Sequence, residues 1–189
     1  GKWASITTHP ELASHNEIHG HGREVLKART DRIEAANLSR RPQKNAAAAI
    51  EVTISASPEW FAGKPPAKAK EYFAEARKWL AKEFGADQII GWATHFDEKT
   101  PHMHVLLVPL TRTKEARVRK DGHDVSRTVK EAPDWAYSSS RVLGGPKGMA
   151  RLHDSLAATL KPYGVERGER GSKARHTDQV EWAAKLAAK

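Results

Sequence analysis

The sequence predicts an α+β domain, a central antiparallel β-sheet with packed helices, and three observations carry that expectation. Two apolar runs, Ile89 to His95 and His102 to Leu110, flank a six-residue turn and predict an antiparallel strand pair. Ile50, Val52 and Ile54 alternate within Ala49 to Ser55, the pattern of a half-buried strand. Two longer segments, one ending near Phe84 and one near Leu160, repeat apolar residues at helical spacing.

Taken in order, Lys2 to Thr7 alternates well enough for a short first strand, and Glu11 to Ala36 is polar, His-rich and helical in part. Asn37 to Asn45, with Pro42 and a run of basic residues, reads as a loop before the Ala49–Ser55 strand. Pro65-Pro66 opens a helix, and Gly85 stands just past its end as a cap. Its apolar positions Tyr72, Phe73, Ala76, Trp79, Leu80 and Phe84 are core residues by their spacing. Residues 111–148, basic and then rich in Ser, Gly and Pro, predict a mobile excursion. Met149, Leu152, Leu156 and Leu160 share one face of a helix that Pro162 and Gly164 end, and a final amphipathic segment starts near His176. The 189 residues suit a single domain with room for a real core.

Composition narrows the function. Hydrophobic residues at 39% and charged residues at 29% describe a globular chain, and no apolar run approaches the roughly 20 residues of a membrane span. Without cysteine, disulfides, thiolate metal sites and cysteine catalysis are excluded, in keeping with a cytoplasmic protein. No secretory signal opens the chain, and Gly1 in place of an initiator Met is expected to be an expression remnant.

The net charge of +9 is concentrated. Residues 23–44 hold seven basic and three acidic side chains, residues 111–130 seven and three, and residues 161–176 five and two. One such stretch is an ordinary solvated face; three point to a polyanionic partner. Charge alone does not separate DNA, RNA and anionic lipid. Arg23, Arg40, Arg41, Arg167, Arg170, Lys173, Arg175 and His176 are the candidate contacts to such a polyanion, and on a nucleic acid they would set position without reading sequence. Trp60, Trp135 and Tyr137, expected in loops, are candidates for stacking on unpaired bases as well as for packing.

The chemistry concentrates in His95-Phe96-Asp97-Glu98-Lys99-Thr100-Pro101-His102-Met103-His104. Side chains two apart on a strand share a face, so His102 and His104 project together, and His95 joins them if the flanking strands pair. Three neutral imidazoles suit a divalent transition metal and leave coordination positions for water or substrate. Asp97 and Glu98 supply carboxylates as a further ligand, an outer partner or a proton acceptor. A second run, Ser14-His15-Asn16-Glu17-Ile18-His19-Gly20-His21, offers nucleophile and base candidates.

The run H-F-D-E-K-T-P-H-M-H with V-L-L-V-P after it closely resembles the metal motif of MOBV relaxases, the plasmid mobilization and recombination (Mob/Pre) family of HUH endonucleases. S-H-N-E at residues 14–17 resembles the family's first motif, and Y-G-V-E-R-G-E-R-G-S-K-A-R-H resembles the segment after its last long helix. The likeness covers most of residues 1–180. It implies an HUH relaxase-like sandwich that nicks and rejoins one DNA strand at a plasmid origin of transfer, single-stranded or hairpin, and so initiates conjugative mobilization. His95, His102 and His104 match the family's ligands for Mn²⁺ or Mg²⁺, Glu98 its motif acid, and His15 its histidine nucleophile, which would carry a 5′-phosphate covalently. Ile18 stands where the family often has Arg, and His19 and His21 remain alternatives to His15. The resemblance makes residues 1–189 one relaxase domain, expected to be the N-terminal part of a longer protein with the conjugation coupling machinery as a candidate partner.

Three other readings compete. An HUH rolling-circle replication initiator would need a suitably placed tyrosine, for which Tyr137 is the best candidate. A small-molecule phosphoesterase would not need three basic stretches. In a non-catalytic DNA-binding module the histidines would only hold a structural ion.

Overall fold

The computed structural model describes residues 9–36, 38, 40–112 and 135–171. The first strand expected at Lys2 to Thr7, the segment from His176, and the candidate contacts Lys173, Arg175 and His176 lie outside the described residues.

The sheet is built on β3 (Ile89–His95) and β4 (His102–Leu107), antiparallel across the predicted turn. On the other side of β4 runs β2 (Ile50–Ser55), and on the other side of β3 runs the short β1 (Glu17–His19). The order β1-β3-β4-β2 is antiparallel throughout. Alternation along β4 divides the sheet into two unlike faces: Met103, Val105 and Leu107 are fully buried, whereas His102, His104 and Leu106 are not.

The dry face is covered by α3 (Pro66–Phe84), whose Tyr72, Phe73, Ala76, Trp79 and Leu80 fall at the predicted helical spacing and are all buried. The fixed φ of Pro66 suits the first helical turn, and Gly85 ends the helix at φ 96°. Packed against α3 is α5 (Gly145–Leu160), contributing Leu152 and Leu160. A short α2 (Pro58–Phe61) adds Trp60 and Phe61, so Trp60 packs on Tyr72 at 4.8 Å and is no loop base-stacker.

Among the described residues the opposite face is covered by a helix at one end only. There α1 (Arg23–Glu34) lies against β3, and a smaller core gathers Ala36, Ile90, Val108 and Leu110. Gly91 permits this approach, because a Cβ there would meet Val25 at 3.0 Å and the His19 carbonyl at 3.1 Å. The end of this face nearest the β3–β4 turn, carrying the histidines, stays uncovered by α1.

Two boundaries differ from the sequence-based expectation. The strand expected to run to Leu110 stops at Leu107; Pro109 offers no N–H, and Leu110–Arg112 forms a separate strand β5. The stretch expected to be a mobile excursion is structured at both ends, since β6 (Trp135–Tyr137) pairs with β5 and α4 (Ser139–Leu143) follows it. Residues 113–134 lie outside the described residues. Among the described residues no helix is long and apolar enough to cross a membrane.

Candidate metal and nicking site

Register decides the site. His95 pairs directly with His102, and Ala93 with His104, so all three histidines leave the sheet on its open face. Their ring centroids are 5.3 Å apart for His95–His102, 5.6 Å for His95–His104 and 4.8 Å for His102–His104. An imidazole nitrogen lies about 2.1 Å from a transition metal with the ring centroid about 1.1 Å beyond, so neighbouring rings on one ion stand about 4.5–5.2 Å apart. The His102–His104 separation falls within that range, and the two separations to His95 exceed its upper end by 0.1 Å and 0.4 Å.

The donor atoms do not yet converge: among the described residues no group of three His, Asp or Glu side chains is arranged to hold an ion outright. What the strand register supplies is the gathering of the three rings on one face of the sheet.

The histidines also have the outer partners a ligand needs. His102 Nδ1 lies 2.9 Å from the Thr100 carbonyl, and His104 Nδ1 lies 2.6 Å from a Glu51 carboxylate oxygen. A carbonyl and a carboxylate can only accept, so each Nδ1 carries a proton, which in the neutral ring leaves Nε2 as the ligating nitrogen. Burial holds the His95 imidazolium below its ordinary range, with the nearby His102 adding to it against the opposing pull of Glu98. The neutral, ligating form of His95 is thereby favoured. Glu98 spans two of the rings, 3.9 Å from His95 Nδ1 and 3.9 Å from His102 Nε2. Those distances exceed direct hydrogen bonds.

The first motif reaches the same hairpin through Asn16. Its amide donates to Asp97 Oδ1 at 2.8 Å and its carbonyl accepts from the Phe96 N–H at 2.7 Å, which explains how the buried Asp97 is satisfied. One carboxylate oxygen of Asp97 is thus engaged in holding the turn. His15, one residue before, is half-buried with its ring edge-on to Phe96 at 6.3 Å. Asn16→Ala should cost about 1–3 kcal/mol in thermal or denaturant unfolding, because a buried carboxylate and an N–H lose their partner. A loss under about 0.3 kcal/mol would mean that the clamp is dispensable.

The other histidines of the first motif lie elsewhere. His19 pairs with Trp92 and stacks on it at 5.9 Å. Trp92 precedes His95 by three positions and so faces the other side of the sheet, where Arg77 of α3 covers it at 4.0 Å. His21 leads into α1, its N–H bonded to Glu24. None of the three tyrosines stands at the hairpin. Tyr72 is buried, donates to the Ser55 carbonyl, and has its pKa pushed up to about 12 by burial. Tyr163 packs on Tyr72, and Tyr137 lies in β6 with its hydroxyl 2.9 Å from the carbonyls of Ala47 and Ala48.

The expected backbone contacts divide. Arg23 is exposed at the start of α1, and Arg40 and Arg41 are exposed in the loop before β2. Arg167 and Arg170 both pair with Asp154 of α5, which ties the last described segment to that helix. Trp135 is held between Arg32 and Arg112, with guanidinium carbons 4.5 Å and 4.3 Å from its ring centre. Sequence reasoning missed Glu51, whose only signal was a charged residue at an outward position of an alternating strand, and it missed β1 altogether.

The family model described as Plasmid recombination enzyme (Mob_Pre) matches residues 13–184. A 65 kDa protein of Zymomonas mobilis is 28% identical over 134 residues, 71% of this chain and 20% of that protein. A plasmid recombination enzyme type 3 of Staphylococcus aureus is 29% identical over 122 residues, 64% of this chain and 24% of that protein. The chain therefore spans about a fifth to a quarter of the length of these relatives. Among solved structures, the Mn-bound MobM relaxase domain in complex with plasmid pMV158 oriT DNA superimposes with a TM-score of 0.73 at 20% identity, covering 98% of this chain and 86% of that one. By its family match the chain belongs to the plasmid recombination enzyme (Mob_Pre) family.

Proposed function

We infer that this domain nicks and rejoins one strand of plasmid DNA at an origin of transfer, using a divalent metal, Mn²⁺ or Mg²⁺, and a histidine nucleophile. The carrying observation is that the His95, His102 and His104 rings gather on one face of the sheet with their centres 4.8–5.6 Å apart. The family supplies the substrate class, and the related MobM domain is Mn-bound on oriT DNA.

His95, His102 and His104 would hold the ion, which when bound supplies Lewis-acid stabilisation of charge on the scissile phosphate. His15 attacks phosphorus in line through a ring nitrogen, forming an N–P bond as the P–O3′ bond breaks. The departing 3′-oxygen takes a proton from water, and Glu98 accepts the proton that the imidazole gives up. The new linkage leaves the 5′-phosphate on the protein, so rejoining needs no nucleotide cofactor. His15 is favoured over His19 because Asn16 clamps its segment to the hairpin, whereas His19 sits on the helix-packed side. The tyrosine positions weigh against the replication-initiator reading.

Glu51 belongs in this site as a positioning residue. By fixing the His104 tautomer it raises the basicity of the ligating nitrogen, and Glu51→Ala should weaken Mn²⁺ binding about 10–100-fold by calorimetry. An unchanged affinity would reduce the Glu51 contact to a surface ion pair.

A direct test incubates the protein with Mn²⁺ and a randomised single-stranded oligonucleotide pool, then separates the products under denaturing conditions. A shifted protein band carrying DNA, absent in EDTA and restored by Mn²⁺, is the expected result. Free cleavage products with no adduct would favour a hydrolase, and neither adduct nor cleavage would leave a binding module.

A further inference from the structure

We propose that a cavity lined by Arg40, Arg41 and Arg141 is a second DNA-binding site, one that grips the phosphodiester backbone away from the scissile phosphate. The proposal rests on the nicking function above for the identity of the polymer, and adds where a distant part of it is held.

The cavity has a volume of about 580 Å³ and lies between the loop before β2 and the β6–α4 connection, with Tyr137 and Ser138 in its wall. Among the described residues no carboxylate lines it. None of the three arginines has an ion-pair partner among the described residues, in contrast to Arg167 and Arg170. Three guanidiniums around one open cavity repel one another, a cost that an anion relieves.

The walls are held in place by groups other than these arginines. The Tyr137 hydroxyl contacts the carbonyls of Ala47 and Ala48, and Arg29 donates to the Ala48 carbonyl at 2.7 Å and to the Tyr137 hydroxyl at 3.2 Å. These bonds dock the loop bearing Arg40 and Arg41 on the strand preceding Arg141. The binding groups are therefore spared from structural duty.

Position argues for a polymer. The cavity adjoins the Ile50 end of β2, while Ser55, at the other end, pairs with His102. Five strand steps at about 3.3 Å each separate those ends by about 17 Å, more than one nucleotide linkage spans. A single strand or hairpin arm bound here would be anchored while another of its phosphates lies at the histidines. Guanidinium forks suit phosphate oxygens and read no base, so this site adds affinity and register rather than sequence choice.

The test compares Arg141→Gln and Arg40→Gln with Lys78→Gln, which removes the same charge from an exposed position of α3. Affinity is measured by fluorescence anisotropy across a salt series, on single-stranded oligonucleotides of about 8 and about 30 nucleotides. Each arginine variant should bind the longer oligonucleotide about 5–10-fold more weakly, with a salt slope shallower by about one counterion. Lys78→Gln should match wild type, and Arg141→Lys should recover part of the loss.

Equal losses in all three glutamine variants would reduce the effect to net charge and overturn the proposal. So would wild-type affinity in both arginine variants, or full competition by inorganic phosphate with no dependence on oligonucleotide length. Thermal unfolding of each variant separates lost binding from lost folding, and the two arginine positions on different elements guard against one of them misfolding. If wild type forms no covalent adduct but the arginine losses persist, the nicking function fails and the binding site stands. If adduct forms and the losses are absent, the reverse holds.

Discussion

His15→Ala is expected to leave no protein–DNA adduct on a denaturing gel, while retaining most of the affinity for the same oligonucleotide. The reason is chemical: under the proposed mechanism the variant lacks the atom that would bond to phosphorus, and neither His19 nor Tyr137 can take its place without moving an element. His19 lies in β1 with its ring stacked on Trp92, on the side of the sheet that α3 covers. Tyr137 is tied to Ala47 and Ala48. Loss of a covalent nucleophile removes the intermediate altogether, so the adduct should fall to background, by at least about 10³-fold, the order a nucleophile contributes in related triad chemistry. A persistent adduct in His15→Ala would transfer the role to another residue, and peptide mapping of the trapped DNA would identify it.

The second large effect comes from adjacent residues of β4 with opposite consequences. His102→Ala should lose measurable Mn²⁺ binding and slow nicking by at least about 10³-fold, since Lewis-acid stabilisation supplies several kcal/mol at the transition state. Its melting temperature without metal should change little, because His102 lies on the open face. Met103, its neighbour, is fully buried against α3, and Met103→Ala should cost about 2–5 kcal/mol by opening a cavity. Unfolding and calorimetry on the two proteins check the pair. If His102→Ala proved as destabilising as Met103→Ala, the histidine would be a core residue and the metal site would fall.

Much of this was readable before any coordinates. The β3–β4 hairpin, the span of α3 and the division of β4 into two faces follow from short-range patterns, because alternation of period two and helical spacing are properties of neighbouring residues. The first-motif segment was harder. Glu17–His19 is three residues long and has no apolar alternation, so nothing local marks it as a strand; it exists because β3 offers a free edge. The same holds for β5 and β6, which pair across a long insertion, and for Tyr137, whose strand position no local pattern suggested.

The sequence by itself determined the chemistry available: the H-x-H pair, the histidine before the turn, the acid within it and the excess of positive charge. Tertiary structure alone decided how those groups are deployed. It brought Glu51 from another strand to His104, used Asn16 to bind the first motif to the turn, spent Arg167 and Arg170 on Asp154, and left Arg40 and Arg41 facing Arg141. The physical reason is range: local patterns set by side-chain periodicity act over a few residues, whereas contacts between residues 53 or 81 positions apart depend on which strands pair and in which register.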